Sequence, residues 1–195
     1  IMDLGKNPGL GLRQLHVQGI TGQGVGIAIV DAPLLVEHQE YADRLRLYRF
    51  DPDRGVFLDG GPWRHYPLES AGHFVGAMAA RDAHTLLAIE RDDEEGPAAR
   101  FKRIFAVDLL NPGEVLPKRQ VVDLLAIDDP RGLAGKAGGR YSFPYITPEG
   151  LAVLDPNTLA VVNDNNFPFS SGRTPGRCDD GEIVWIRLLD QPSPK

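Results

Sequence analysis

The strongest constraint on the fold is an internal repeat of paired apolar segments that each end in polar residues. The first copy, "GAMAARDAHTLLAIERD", begins at Gly76, and the second, "GLAVLDPNTLAVVNDN", begins at Gly150. Each copy predicts a strand, a turn and a second strand that starts at a threonine. The turns are built on Asp82 in one copy and on Asp155-Pro156-Asn157 in the other, because these residues favour turns. The repeat therefore predicts antiparallel β hairpins.

Further apolar segments extend both units. The segments "IFAVDLL" and "VWIRLLD" supply a third strand, with Ile104 aligned on Val184, and "RQVVDLL" supplies a fourth strand in the first unit. "WRHYPLE" is the possible counterpart of that strand in an earlier unit, and "RLYRFDPDRGVF" predicts a hairpin around Pro52-Asp53. Serial units of about four short strands favour a propeller over a sandwich or a barrel. The predicted fold is mainly β, a partial β-propeller-like domain of repeated antiparallel units.

The ring predicted in this way is open. Closed propellers have about four to eight blades, and the sequence supplies fewer units than that. Unpaired strands at a sheet edge are templates for pairing with another chain. We therefore expect self-association through open sheet edges.

Residues 1–46 predict a short α/β segment before the β domain. Gly22, Gly24 and Gly26 do not form a dinucleotide-binding loop, because the apolar run that ends at Asp31 follows them instead of preceding them. The stretch "GITGQGVGIAIVD" resembles the start of a subtilisin-like serine peptidase, and the resemblance implies that Asp31 is its triad aspartate. A triad also needs a histidine and a serine. The residue in the histidine position is Ser70, and no serine motif follows, so we expect a remnant without peptidase activity.

Composition excludes several classes of function. The net charge is −6 and no run of Lys or Arg stands out, which argues against nucleic acid as a partner. No apolar run approaches the length of about 18 residues that a membrane helix needs, and the start lacks a signal-peptide core, so no membrane partner is expected. Cys178 is the only cysteine, which excludes an intrachain disulfide and a zinc site made of cysteines.

Oxygen-bearing side chains gather where the repeated strands end, and they predict a calcium site. Glu149 precedes one strand, and the next strand ends in Asn163, Asp164 and Asn165. If these strands pair as a hairpin, the residues return to one edge of the sheet, and Ca²⁺ takes about six to eight such oxygen ligands. The counterparts in the first unit are Glu90 and Asp92. The alternative is that Asn and Asp form turns here, and that the acidic run from Asp92 is a solvated loop.

The β half resembles the phytase-like domain family, which is known for an esterase-like activity of phytase. The motifs that carry the resemblance include "YRFDP", "LLAIERD", "FKRIFAVDL" and "FPYITPEGLAVLDPNTLAVVNDNNFPFSSGR", although Pro148 stands beside Glu149 where an aliphatic residue is expected. The resemblance implies a domain over 47–190 with a tail at 191–195, and an extracytoplasmic location. It also implies hydrolysis of phosphate or carboxylic esters.

The chemistry of the predicted site remains open in part. Four basic residues near the oxygen clusters predict contacts to a small anionic or ester substrate, and these are Arg91, Lys102, Arg103 and Arg173. A bound cation would assist hydrolysis by polarising the ester or activating water. Ser170 and Ser171 lack a nucleophile elbow, so no catalytic residue is predicted. The alternative function is a non-catalytic propeller module that binds a ligand or a partner.

Overall fold

The computed structural model describes residues 43–189, apart from 52–53, 59 and 135–138. The described residues form thirteen β-strands and one 3-10 turn at Gly96–Ala98, so the chain is mainly β, as predicted. The strands are β1 (Arg44–Leu47), β2 (Phe50–Asp51), β3 (Val56–Phe57), β4 (Arg64–Pro67), β5 (Phe74–Ala80), β6 (Thr85–Arg91), β7 (Lys102–Asp108), β8 (Lys118–Asp123), β9 (Ile127–Asp129), β10 (Gly139–Tyr141), β11 (Thr147–Asp155), β12 (Thr158–Asp164) and β13 (Ile183–Arg187).

The described residues fall into two units. Residues 48–63 form the smaller one, which consists of the hairpin β2–β3 predicted around Pro52-Asp53. Arg49 lies over the ring of Trp63 within this unit. The larger unit contains residues 43–47 and 64–189, and everything below concerns it.

The first repeat forms a four-stranded antiparallel sheet in the order β5-β6-β7-β8. Asp82 closes the first turn by accepting a bond of 2.8 Å from the amide of His84, the local chemistry that the sequence predicted. The predicted fourth strand is β8, which pairs with β7. Each neighbour in the sheet is thus a neighbour in the sequence.

The second repeat forms a three-stranded antiparallel sheet in the order β11-β12-β13. The registers of both hairpins shift near the start of the repeat, at Gly76 between Val75 and Ala77 and at Glu149 between Pro148 and Gly150. The alignment of Ile104 with Val184 was wrong by one residue. Thr85 pairs with Asp108 and Thr158 pairs with Arg187, so Val107 corresponds to Ile186, and both of these side chains are buried.

The core draws on both sheets and on the segment between them. Its buried members are Leu87, Ile89, Ile104, Val122, Leu124, Tyr141, Phe143, Tyr145, Leu159, Val161 and Ile186. The alternation of strand side chains brings every second residue of β6 and β12 into this cluster. The intervening residues of β6, among them Glu90, lie on the other face of the strand.

Two smaller sheets complete the larger unit. Strand β4, predicted from "WRHYPLE", pairs with β1, and β9 pairs with β10. No closed barrel forms among the described residues, and the propeller-like arrangement stays a prediction. None of the described helical segments has the length and apolar character needed to cross a membrane. The α/β segment, Asp31 and the tail at 191–195 lie outside the described residues.

Candidate active site

The centre of the candidate site is the fully buried carboxylate of Glu90, the penultimate residue of β6. Its Oε1 accepts a bond of 2.7 Å from the amide of Glu69 and lies 2.9 Å from Nδ1 of His73. Its Oε2 accepts bonds from the hydroxyl of Tyr66 at 2.9 Å and from Nζ of Lys118 at 2.5 Å. Four donors around one buried carboxylate satisfy the charge that burial would otherwise penalise.

Three separate parts of the larger unit supply these four donors. Tyr66 lies in β4, Lys118 begins β8, and Glu69 and His73 belong to the connection between β4 and β5. The hairpin β5–β6 returns the chain so that Phe74, which follows His73, pairs with Arg91, which follows Glu90. Strand pairing therefore explains why the imidazole and the carboxylate meet.

His73 has the geometry of a general base whose imidazole is oriented by a carboxylate. Its ring lies on Phe101 with the centroids 4.1 Å apart, and its side chain is 13% exposed. The Glu90 carboxylate orients Nδ1, and no described residue makes a hydrogen bond to Nε2. In histidine–carboxylate pairs of this kind the bonded nitrogen sets the tautomer, and the other nitrogen accepts a proton from the reacting group.

Lys118 supplies the positive charge beside this pair. Its side chain is only 6% exposed, and Nζ also lies 3.2 Å from Oε1 of Glu69. The ammonium lies over the rings of Tyr66 and Phe105 at 4.6 and 4.2 Å. Burial, and then the Glu90 carboxylate, raise the pKa of Tyr66 far above its usual range, so this hydroxyl stays a donor.

A second buried ion pair follows directly along the strand. Nζ of Lys102 lies 2.7 Å from Oδ1 of Asp92 and also donates to the carbonyl oxygens of Asp92 and Ile146. Burial lowers the pKa of Lys102. Burial alone would raise the pKa of Asp92, but bonds from Lys102 and from the amides of Arg100 and Phe101 lower it on balance. The pair anchors the loop that leaves β6.

The basic residues predicted to bind substrate are dispersed, and each of them is paired with an acid, Arg103 with Asp123 at the longest separation of the four, 3.7 Å. Arg91 pairs with Asp93 at 2.8 Å, and Lys102 pairs with Asp92 as described. Arg173 donates to Oε1 of Glu182 at 2.7 Å, as well as to two tyrosine hydroxyls and a carbonyl oxygen. Arg103, in register with Glu90, is the least committed of the four. Its guanidinium lies 4.4 Å from the ring centroid of Phe101, the ring that also contacts His73.

The residues predicted to bind calcium are brought to one edge in the second repeat. β11 and β12 pair as a hairpin, with Thr147 opposite Asp164 and Pro148 opposite Asn163, so Glu149 returns to the same edge. Asp164 and Asn165 accept bonds from the amides two residues further on, which is turn chemistry. Asn163 uses both its oxygen and its amide on the segment before β13.

Among the described residues, no group of three or more His, Cys, Asp or Glu side chains has the arrangement to hold a metal ion. In the first repeat, Glu90 and Asp92 are already taken by the ammonium and amide donors described above. The predicted calcium set therefore offers a cation few uncommitted carboxylates. Calcium binding at Glu149 and Asp164 stays a prediction.

The sequence did not predict the roles of His73, Tyr66 and Lys118. The sequence predicts Glu90 only as a metal ligand. The one local signal of this site was Glu90 itself, near the end of an otherwise apolar strand, because a buried carboxylate needs hydrogen-bond donors or a counter-charge. Which residues those are depends on the packing of β4, β6 and β8, and no spacing in the sequence encodes it.

A family model for the phytase-like domain, described as "esterase-like activity of phytase", matches residues 20–167. The chain belongs to this family. The phytase-like match includes Tyr66, His73, Glu90 and Lys118, and it begins inside the stretch that was predicted to be peptidase-like, so it gives the peptidase resemblance no support. The predicted boundary at residue 47 stays a prediction. No match was found among the curated proteins or among the solved structures.

Proposed function

We propose that this phytase-like chain is an ester hydrolase in which His73 and Glu90 activate water. Membership of the family suggests an esterase-like activity, and the observation that carries the proposal is the bond between Nδ1 of His73 and a fully buried carboxylate. Nε2, to which no described residue makes a hydrogen bond, is the atom that takes the proton in this proposal. His73 thus combines a titratable group, a fixed orientation and partial exposure.

The proposed reaction begins with a water molecule hydrogen-bonded to Nε2 of His73. Nε2 takes one proton while the water oxygen forms a bond to the ester carbon or phosphorus. The bond from that atom to the leaving oxygen then breaks, and the proton passes from Nε2 to the leaving group. Glu90 stabilises the imidazolium that forms in between, and Lys118 and Tyr66 hold the carboxylate in place.

The substrate class that we propose is a small phosphate or carboxylic ester. Arg103 lies on the aromatic ring that also contacts His73, and its partner Asp123 is 3.7 Å away, so it is the described cation best situated to attract an anionic ester. A divalent cation bound near the site would polarise the ester further. Every step above uses side chains of the chain itself.

The test is hydrolysis of p-nitrophenyl acetate and p-nitrophenyl phosphate by the native chain and by His73→Gln. General bases contribute about 10²- to 10⁴-fold, so His73→Gln is expected to lose at least about a hundredfold in kcat/KM. His84→Gln is the matched control, because His84 is exposed in the β5–β6 turn. A native chain that hydrolyses neither ester, or a His73→Gln variant with the native rate, would contradict the proposal.

The alternative is a non-catalytic module that binds a ligand through the loop after β12. Phe167 and Phe169 in this loop are largely exposed, and exposed aromatic residues favour recognition of a partner. This alternative gains support if neither ester is hydrolysed and Phe169→Ala weakens ligand binding while His73→Gln does not.

A further inference from the structure

The outer edge of β13 is unpaired in the part of the chain that the structure describes. In the four-stranded sheet the corresponding strand, β7, pairs on both sides, and Ala106, which corresponds to Trp185, pairs with Arg119 of β8. Strand β13 pairs with β12 alone. In the first repeat, the position beside the corresponding strand is thus occupied by β8.

The backbone of β13 presents three residues to the open edge. The carbonyl of Glu182 accepts a bond of 3.3 Å from β12, and the amide of Leu188 donates one of 2.7 Å to the turn before β12. The direction of the backbone groups alternates along a strand. The N–H and C=O groups of Ile183, Trp185 and Arg187 consequently point away from β12.

The side chains of the same three residues lie on the exposed face of the sheet. Trp185 is 74% exposed and Ile183 is 63% exposed, and neither contacts the core cluster. Large apolar and β-branched residues on an unprotected edge favour pairing with another strand.

The charges at the two ends of β13 favour one direction of pairing. Asp180, whose side chain is 88% exposed and lies 3.8 Å from the exposed Arg177, precedes the strand, and Arg187 ends it. Antiparallel pairing with an identical strand brings Arg187 of each copy to within about 10 Å of Asp180 of the other, about three residues along a strand. Parallel pairing would instead bring the two arginines side by side.

We propose that β13 pairs antiparallel with β13 of a second copy of this chain, about a twofold axis at Trp185. Ile183 of each copy then lies opposite Arg187 of the other, and Trp185 lies opposite its own equivalent. Each of these pairs exchanges two backbone hydrogen bonds, and the two three-stranded sheets become one continuous sheet. The inference is independent of the proposed hydrolase activity.

The test is sedimentation velocity of the full chain over a wide range of concentrations. The native chain is expected to form a dimer that dissociates on dilution. Trp185→Lys adds a charge to the edge and is expected to give a monomer. Ile183→Pro removes only an amide that points outward, so it is expected to abolish the dimer while the circular dichroism spectrum stays native.

Leu154→Lys separates pairing at the edge from packing of the sheet face. Leu154 is 52% exposed on β11, at the far side of the same sheet from the open edge. Edge pairing predicts that this variant still forms the dimer. A Leu154→Lys variant as monomeric as Trp185→Lys would show that the copies pack face to face, which overturns the proposal.

Cross-linking gives a second measurement if Trp185→Lys fails to fold. Directly opposed residues in a hydrogen-bonded pair lie about 5.5 Å apart at Cα, a distance that a disulfide spans. In a Cys178→Ser background, Trp185→Cys is expected to yield a covalent dimer under mild oxidation, whereas Leu154→Cys is not. A native chain that is monomeric at every concentration, or equal cross-linking of both cysteines, would refute the pairing.

Discussion

Nδ1 of His73 lies 2.9 Å from Oε1 of Glu90, although the two residues are 17 positions apart in the sequence. The hairpin β5–β6 closes that separation, and Tyr66 and Lys118 hold the other carboxylate oxygen. A charged group at 0% exposure is tolerated only where donors of this number surround it. The geometry of the pair thus depends on three strands at once, which makes it sensitive to single substitutions.

Tyr66→Phe is expected to destabilise the chain by about 1–3 kcal/mol, because it leaves one lone pair of the buried Glu90 carboxylate without a donor. The measurement is urea unfolding followed by fluorescence. Tyr48→Phe is the matched control, since Tyr48 is 40% exposed whereas Tyr66 is fully buried. Equal unfolding midpoints for the two variants would mean that the Tyr66 hydroxyl contributes little.

Asp92→Asn is expected to destabilise the chain by about 3 kcal/mol at neutral pH, because it leaves the buried ammonium of Lys102 without its counter-charge. The pKa of Asp92 is lowered in the folded chain, so its contribution is present above the ordinary aspartate pKa of about 3.9 and is lost as the pH falls through the folded value. The difference in unfolding free energy between native and variant chains should therefore shrink below about pH 4. Asp128→Asn serves as the control, because the Asp128 carboxylate and its partner Arg140 are both exposed. A difference that is constant from neutral to acid pH would contradict this linkage.

Gly76→Ala is expected to destabilise the chain by about 1–3 kcal/mol, because the new Cβ would stand 2.2 Å from the carbonyl oxygen of Pro148. That oxygen belongs to the backbone of β11 and cannot rotate away as a side chain would. Gly72→Ala is the control, since no atom lies within 4 Å of its added Cβ. Thermal melting of both variants checks the prediction, and a Gly76→Ala chain as stable as Gly72→Ala would show that β5 and β11 separate readily.

If Glu149 and Asp164 bind calcium, calcium is expected to raise the melting temperature. A ligand that binds only the folded chain stabilises it by about 2.7 kcal/mol at a hundredfold excess over Kd. Glu149→Ala and Asp164→Asn should each abolish the increase. The second of these keeps an oxygen that can accept the Asn166 amide, so the turn survives while the charge is removed. Asp93→Ala should leave the increase intact. Identical melting curves in calcium and in chelator would leave these oxygens as turn formers only.

Local features of the fold were predictable from the sequence because they depend on neighbouring residues. The turn at Asp82 forms through a bond to an amide two residues away, and a similar bond of Asp155 closes the turn between β11 and β12. The short continuous apolar runs of β6 and β12 specified buried strands, and Leu87 to Arg91 of β6 are all buried. The repeat at Gly76 and Gly150 then predicted two similar sheets, which the strand pairing confirms.

The partners of the charged residues were decided only by the tertiary structure. The alternative interpretation of the acidic run from Asp92 to Glu95 was a solvated loop, yet Asp92 holds Lys102 and Glu95 accepts bonds from Ser171. Glu90, at the end of the strand before this run, is fully buried. A carboxylate has no periodic signature that distinguishes a buried ion pair from an exposed side chain. The environment of a carboxylate depends on which strands pack against it, and those strands contain residues that are far apart in the sequence. Sequence patterns encode the local conformation, whereas the site arises where distant strands meet.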